Sequence, residues 1–161
     1  MISDIDMKYL RRCVELAKEA VEAGDEPFGS VLVSADGKVL AEDHNRVKDG
    51  DHTQHPEFNL ARWAASNMAE EERQAATMYT SGEHCPMCAA AHGWVKIGRL
   101  VYASSSRQLV KWMEELGVEP SRVKALPVEE VIRDTIVEGP TLELADEIFA
   151  LHAQSQKNKA R

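Results

Sequence analysis

Two short segments carry residues whose types and spacing can do chemistry. His55-Pro56-Glu57 lies mid-chain, and Cys85-Pro86-Met87-Cys88 follows one element pair later. Zinc prefers imidazole nitrogen and thiolate sulfur in tetrahedral geometry. The two-residue gap lets both sulfurs meet one ion, and His55 supplies a third ligand. Three protein ligands leave one position open, as in catalytic rather than structural sites. Water in that position would have its pKa lowered toward ~7. Glu57, two residues after His55, is placed to take that water's proton without being a ligand, and then to deliver it to a leaving group. Taken alone, Cys-x-x-Cys also suits a redox pair or half of a zinc knuckle. A closed site would recruit His52, His84 or His92, whereas a redox pair has no use for His55 or Glu57.

The elements around these segments must position them. Both Pro56 and Pro86 suit the first turn of a helix, so each motif opens a helix. Met7, Leu10, Val14, Ala17 and Val21 recur at three- and four-residue steps and mark a helix from Ser3 to Ala23, with Ser3 and Asp6 as its capping pair and Gly24 as its stop. Phe28–Ser34 reads as a buried strand, Ala35-Asp36-Gly37-Lys38 as a hairpin turn and Val39–His44 as the returning strand. Asn45–His55 is a polar loop. Helices follow over Pro56–Met68, Pro86–Val95, Arg107–Leu116 and Pro140–Gln154, and strands over Thr77–Ser81, Arg99–Ala103 and Val123–Leu126. This α-β-β-α-β-α-β-α-β-α order predicts helices packed on a mixed sheet. Residues 1–155 form the expected single domain, and Gln156–Arg161 a polar tail.

Composition sets the outer bounds. The chain has 161 residues, 43% hydrophobic and 29% charged, with 19 Lys+Arg against 27 Asp+Glu and a net charge of −8. That is ordinary globular composition for one domain. Such an acidic surface is a poor general partner for phosphate backbones or anionic lipid. Three cysteines cannot build a full disulfide framework and fit a reducing, cytoplasmic compartment. The segment Met1–Tyr9 has no secretory pattern, and no apolar stretch approaches the ~20 residues of a membrane helix.

The His-x-Glu and Pro-Cys-x-x-Cys pairing is the signature of zinc nucleobase deaminases. With Pro27-Phe28-Gly29-Ser30-Val31-Leu32-Val33, His44-Asn45-Arg46-Val47, Thr80-Ser81-Gly82-Glu83 and Gly98-Arg99-Leu100-Val101-Tyr102, the chain resembles the cytidine-deaminase-like superfamily from Ala20 to about Tyr102. It is most similar to the branch of guanine deaminase, fungal-type cytosine deaminase and tRNA adenosine deaminases. The resemblance implies an α/β three-layer αβα sandwich on a five-stranded mixed sheet. It implies one Zn2+ per subunit on His55, Cys85 and Cys88, Glu57 as proton shuttle, and a homodimer or larger homo-oligomer. Asn45 matches the asparagine that hydrogen-bonds the substrate ring, and Phe28 a pocket-lining position. The backbone between Ser81 and Cys85, which includes Glu83 and His84, is expected beside the ring.

Two positions depart from the branch pattern: Pro56 stands where alanine is usual, and His84 where proline is usual. His84 is expected either at the substrate or a neighbouring group, or at the surface. The C-terminal segment closes the pocket in relatives, so Glu138 before the last helix is either a second carboxylate near the ring or a solvated connector residue. Three substrate classes compete: a free small base or related heterocyclic amine, an adenosine in tRNA, and a nucleoside or nucleotide. Glu129, Glu130, Asp134, Glu138, Glu143, Asp146 and Glu147 make the C-terminal segment acidic, and only Lys157, Lys159 and Arg161 oppose them. RNA recognition expects a basic face, and no Gly-rich phosphate loop is present. A free base is therefore favoured, with a lean toward guanine or isocytosine that rests on overall resemblance. A zinc-stabilised binding module without turnover is the non-enzymatic alternative. Trp63, Trp94 and Trp112 belong either to a subunit interface or to the core.

Overall fold

Ser3 caps the first helix as its spacing implies: its hydroxyl accepts from the Asp6 N–H, and the Asp6 carboxylate accepts from the Ser3 N–H. The computed structural model describes residues 1–161, and that helix is α1, Asp4–Glu22. β1 (Gly29–Val33) and β2 (Val39–His44) form the hairpin. α2 (Pro56–Asn67) follows the polar loop, then a short α3 (Glu70–Gln74) that periodicity does not reveal. β3 (Thr77–Gly82), α4 (Pro86–Val95), β4 (Arg99–Ser104) and α5 (Ser106–Glu115) alternate. β5 (Ile136–Glu138) and α6 (Ala145–Lys159) complete the chain.

The five strands make one mixed sheet in the order β2-β1-β3-β4-β5. β1 is antiparallel to β2 and β3, whereas β3, β4 and β5 are parallel. Alternation along the strands divides the core in two. Val31, Val33, Tyr79 and Val101 face α1 and α6 with Leu10, Val14 and Ile148. Leu32, Met78 and Leu100 face α2 and α4 with Leu60, Ala64 and Ala89. The layers are the expected αβα sandwich.

Two expected elements lie elsewhere. The last strand is not Val123–Leu126 but Ile136–Glu138. Val123 and Leu126 are exposed, and the place beside β4 is taken by β5. The terminal helix starts at Ala145 rather than Pro140, after a short 3-10 turn at Leu142–Leu144, and runs on to Lys159. Most of the polar tail is therefore helical, with Lys159 paired to Glu26 at 2.9 Å. The tryptophans divide as well. Trp112 packs against Phe149 and His152, Trp63 against the second core, and Trp94 is 85% exposed. No helix is long and apolar enough to cross a membrane.

Candidate active site

His55 and Cys85 are the N-caps of α2 and α4, with Pro56 and Pro86 opening each helix. The two helices pack side by side on the same sheet face, so their N-termini meet. His55 Nδ1 lies 3.5 Å from Cys85 Sγ and 3.5 Å from Cys88 Sγ, and the two sulfurs are 3.5 Å apart. Ligand bonds of about 2.0–2.3 Å at tetrahedral angles require edges of roughly 3.5 Å, so this triangle fits a zinc ion. No other His, Cys, Asp or Glu joins the triangle, so His52, His84 and His92 are not ligands and one position stays open. All three cysteines are free.

The electrostatics favour metal binding. A hydrogen bond from Cys88, outweighing burial and helped by His55, brings the Cys85 thiol down to about 4. A thiolate at a helix N-terminus also meets the positive end of the helix dipole. The Cys88 thiol, sharing that one proton with Cys85 and buried, is pushed up. Burial opposes protonation of His55, yet the Cys85 sulfur and the Glu57 charge raise it. Burial pushes Glu57 itself up to about 7, only partly offset by His55. Glu57 is 4% exposed, and its Oε1 accepts from the Ser30 hydroxyl at 3.3 Å.

Asn45 follows β2 at the start of the polar loop and is buried, with its N–H donating to the Phe28 carbonyl at 3.0 Å. Its Oδ1 accepts from the Glu26 and Val47 N–H groups, both at 3.2 Å. Two backbone donors on one atom fix which way the amide faces, so the amide nitrogen is left to donate elsewhere. Phe28 lies against Gly82 at the end of β3 and meets the His152 ring edge-on at 5.3 Å. Together they wall a cavity of about 470 Å3 bounded by α5, the 118–125 segment and α6. The triangle and Glu57 are not in its wall. Glu26 joins the two regions, because its charge acts on both His55 and His152. Sequence reasoning missed His152. Its signal is weak, a single polar residue on the inner face of the last helix.

Three expected substrate residues are otherwise engaged. The Glu83 carboxylate accepts from the Ser106 N–H at 2.9 Å and the Val128 N–H at 2.8 Å, which ties β3 to the N-terminus of α5. His84 is fully buried rather than at the surface, with Nε2 3.3 Å from Nδ1 of His92. Glu138 pairs in register with Val101, so its side chain falls on the α1 face of the sheet, opposite the metal triangle. There it binds Arg99 at 2.9 Å and the chain's amino terminus at 3.0 Å. Strand parity, which the sequence does not display when the strand itself is misplaced, removes it from the site.

Residues 3–104 match the family described as "Cytidine and deoxycytidylate deaminase zinc-binding region". A probable cytosine deaminase of Schizosaccharomyces pombe is 34% identical over 119 residues, 74% of this chain and 72% of that protein. The guanine deaminase of Bacillus subtilis is 39% identical over 98 residues, 60% of this chain and 62% of that one. A solved structure from a study of A-to-I editing by tRNA:A34 deaminases superposes with a TM-score of 0.57 at 28% identity, covering 82% of this chain and 98% of its own. With a zinc-compatible triangle at the helix N-termini and the family match spanning it, the chain belongs to the cytidine and deoxycytidylate deaminase zinc-binding family.

Proposed function

We propose that this protein is a hydrolytic deaminase of a free small base or related heterocyclic amine, releasing ammonia from an exocyclic amine of the guanine or isocytosine type. One observation carries the substrate class. The cavity walled by Phe28 and His152 is largely apolar and net acidic: Glu26, Glu114 and Glu119 face it against Lys124 and Lys159, and Lys159 is already paired with Glu26. A phosphate backbone or a nucleotide needs free cations there. A flat neutral ring needs apolar walls and a few polar groups, in a cavity of a few hundred Å3. Phe28 supplies a wall, the Asn45 amide a donor for a ring acceptor, and His152 a neutral polar edge.

His55, Cys85 and Cys88 would hold zinc, which when bound would supply a polarised water at neutral pH. The chain's own residues do the rest. Glu57, poised near neutrality by burial, takes the water's proton on Oε2 as the oxygen adds to the ring carbon. The same oxygen passes that proton to the ring nitrogen. A second transfer, again through Glu57, carries the proton of the newly added hydroxyl to the amine. The carbon–nitrogen bond breaks, ammonia leaves and a ring carbonyl remains. Water and amine therefore balance as carbonyl and ammonia.

The proposal extends to a cytoplasmic homodimer, for which exposed Trp94 on α4 offers an apolar contact. The test is ammonia release by the zinc-loaded protein across guanine, isocytosine, cytosine, adenine, aminotriazines, their nucleosides and a tRNA anticodon stem-loop. Turnover of free bases is expected. Turnover of the stem-loop alone would overturn the substrate class, and no turnover at full zinc occupancy would favour a binding module.

A further inference from the structure

The sheet face that meets α2 and α4 is apolar along β1, β3 and β4, where Leu32, Met78 and Leu100 build the second core. Two side chains interrupt it. Ser30 of β1 and Thr80 of β3 are paired in register, and both are fully buried. A buried hydroxyl without a partner is costly, and these two sit 3.0 Å apart, Oγ to Oγ1. An apolar pair would serve packing as well. What it would lose is the second contact of Ser30, the 3.3 Å approach of its Oγ to Glu57 Oε1. A carboxylate is a stronger acceptor than a hydroxyl, so the one proton of Ser30 is drawn to Glu57. With that proton drawn to Glu57, the Thr80 hydroxyl donates to the Ser30 oxygen in place of the Gly29 carbonyl 3.4 Å away.

We propose that Ser30 is a positioning residue for the proposed proton shuttle: its hydroxyl tethers Glu57 Oε1 and leaves Oε2 as the oxygen that takes and delivers protons. The inference rests on the deaminase reading above, because a tethered carboxylate matters only where that carboxylate works. Glu57 stands in the first turn of α2, where the Cys88 thiol is the other side chain that hydrogen-bonds its carboxylate. Zinc binding would remove that thiol proton, which leaves the Ser30 hydroxyl as the tether; without it both oxygens compete for one task. A partner that orients a working group typically contributes about 10- to 100-fold to activity.

The experiment has an activity arm and a spectroscopic arm. Ser30→Ala removes one oxygen from a strand position that already tolerates a small side chain. In the zinc-loaded protein kcat is expected to fall roughly tenfold or more, with KM and zinc content unchanged. Loss of zinc or a parallel rise in KM would show a merely structural role and overturn the proposal. Thr80→Val should give a smaller fall and add nothing to Ser30→Ala, since Thr80 acts through Ser30; additive losses would contradict that order. In protein carrying 13C-carboxyl glutamate, the Glu57 resonance is identified by its loss in Glu57→Gln. That resonance should move in Ser30→Ala while the Glu83 resonance stays in place. An unmoved Glu57 resonance overturns the tether even if no base in the panel is deaminated, so the tether and the substrate reading fail separately.

Discussion

Two buried polar clusters lie on opposite faces of one sheet, and they differ in how far their valences are filled. On the α1 face, Asp6 accepts from both Arg99 nitrogens at 2.9 and 2.8 Å, from the Tyr79 hydroxyl at 2.6 Å and from the Ser3 N–H at 2.9 Å. Arg99 also holds Glu138. Nothing in that cluster is left over. On the α2 and α4 face, the metal triangle is one ligand short of tetrahedral closure, and Asn45 keeps a free amide nitrogen. A filled cluster orders the fold, whereas a cluster with open valences is available to react. The difference gives a physical criterion for site residues, independent of which residue types are present: both faces contain buried carboxylates.

That contrast breaks most visibly at Glu57. Glu57→Gln keeps the shape and removes the proton-accepting oxygen. Ammonia release should fall by about 10²- to 10⁴-fold, with zinc content by atomic absorption unchanged. Asp6→Ala, on the closed face, should do the reverse. Removing Asp6 leaves the Tyr79 hydroxyl and the Ser3 N–H without their acceptor and Arg99 with Glu138 alone, at a cost of about 1–3 kcal/mol in denaturant-measured stability. The kcat of the folded fraction should hold. An Asp6 variant that lost turnover at full folding would erase the distinction between the faces.

Acid separates the buried carboxylate from the buried imidazoles on one axis. The hydrogen bonds of Arg99 to Asp6 hold that carboxyl well below the usual range. Its stabilising effect is complete above pH ~4 and is lost only as pH falls through the depressed folded value. Burial has the opposite consequence for His152, which it lowers from 6.5 to about 4, with Glu26 opposing and Lys159 adding to the shift. Here the unfolded chain binds the proton first, so stability falls as pH drops from about 6.5 to about 4 and then levels. His92, brought to about 4 by burial, shares that window, and burial pushes His84 well down as well. His152→Gln should remove its own share, roughly 2–3 kcal/mol between those limits, and leave the limb below pH 4 intact. Denaturation midpoints measured at pH 7, 5.5, 4 and 3 check both limbs.

The ligand triangle was legible because two helix starts and a fixed gap are local facts. His55, Cys85 and Cys88 sit where Pro56 and Pro86 put them. The sheet was legible wherever an apolar run met a turn signal, as at Val31-Leu32-Val33 before Gly37. What escaped was non-local. Ile136–Glu138 is three residues long and pairs only with β4, so no periodicity announces it. Glu83 resembles a substrate contact in a motif, yet its carboxylate is spent on two backbone donors far away in the chain. Ser30 and Thr80 were readable as polar breaks in apolar strands, but only the register that sets them side by side gives the break a meaning.

Glu138 makes the smallest and sharpest test of the two faces. By sequence it is either a second carboxylate near the ring or a solvated connector residue; in the structure it belongs to the filled cluster, at its exposed margin, with Arg99 and the amino terminus as partners. Arg99 keeps both Asp6 contacts without it. Glu138→Gln should therefore cost under about 1 kcal/mol, as partly exposed ion pairs do, and that cost should shrink further in high salt. The ranking of bases in the ammonia panel should not change. A reordered ranking at unchanged stability would mean that Glu138 reaches a ring after all, in this subunit or its partner's, and that a filled valence on one face does not exclude work on the other.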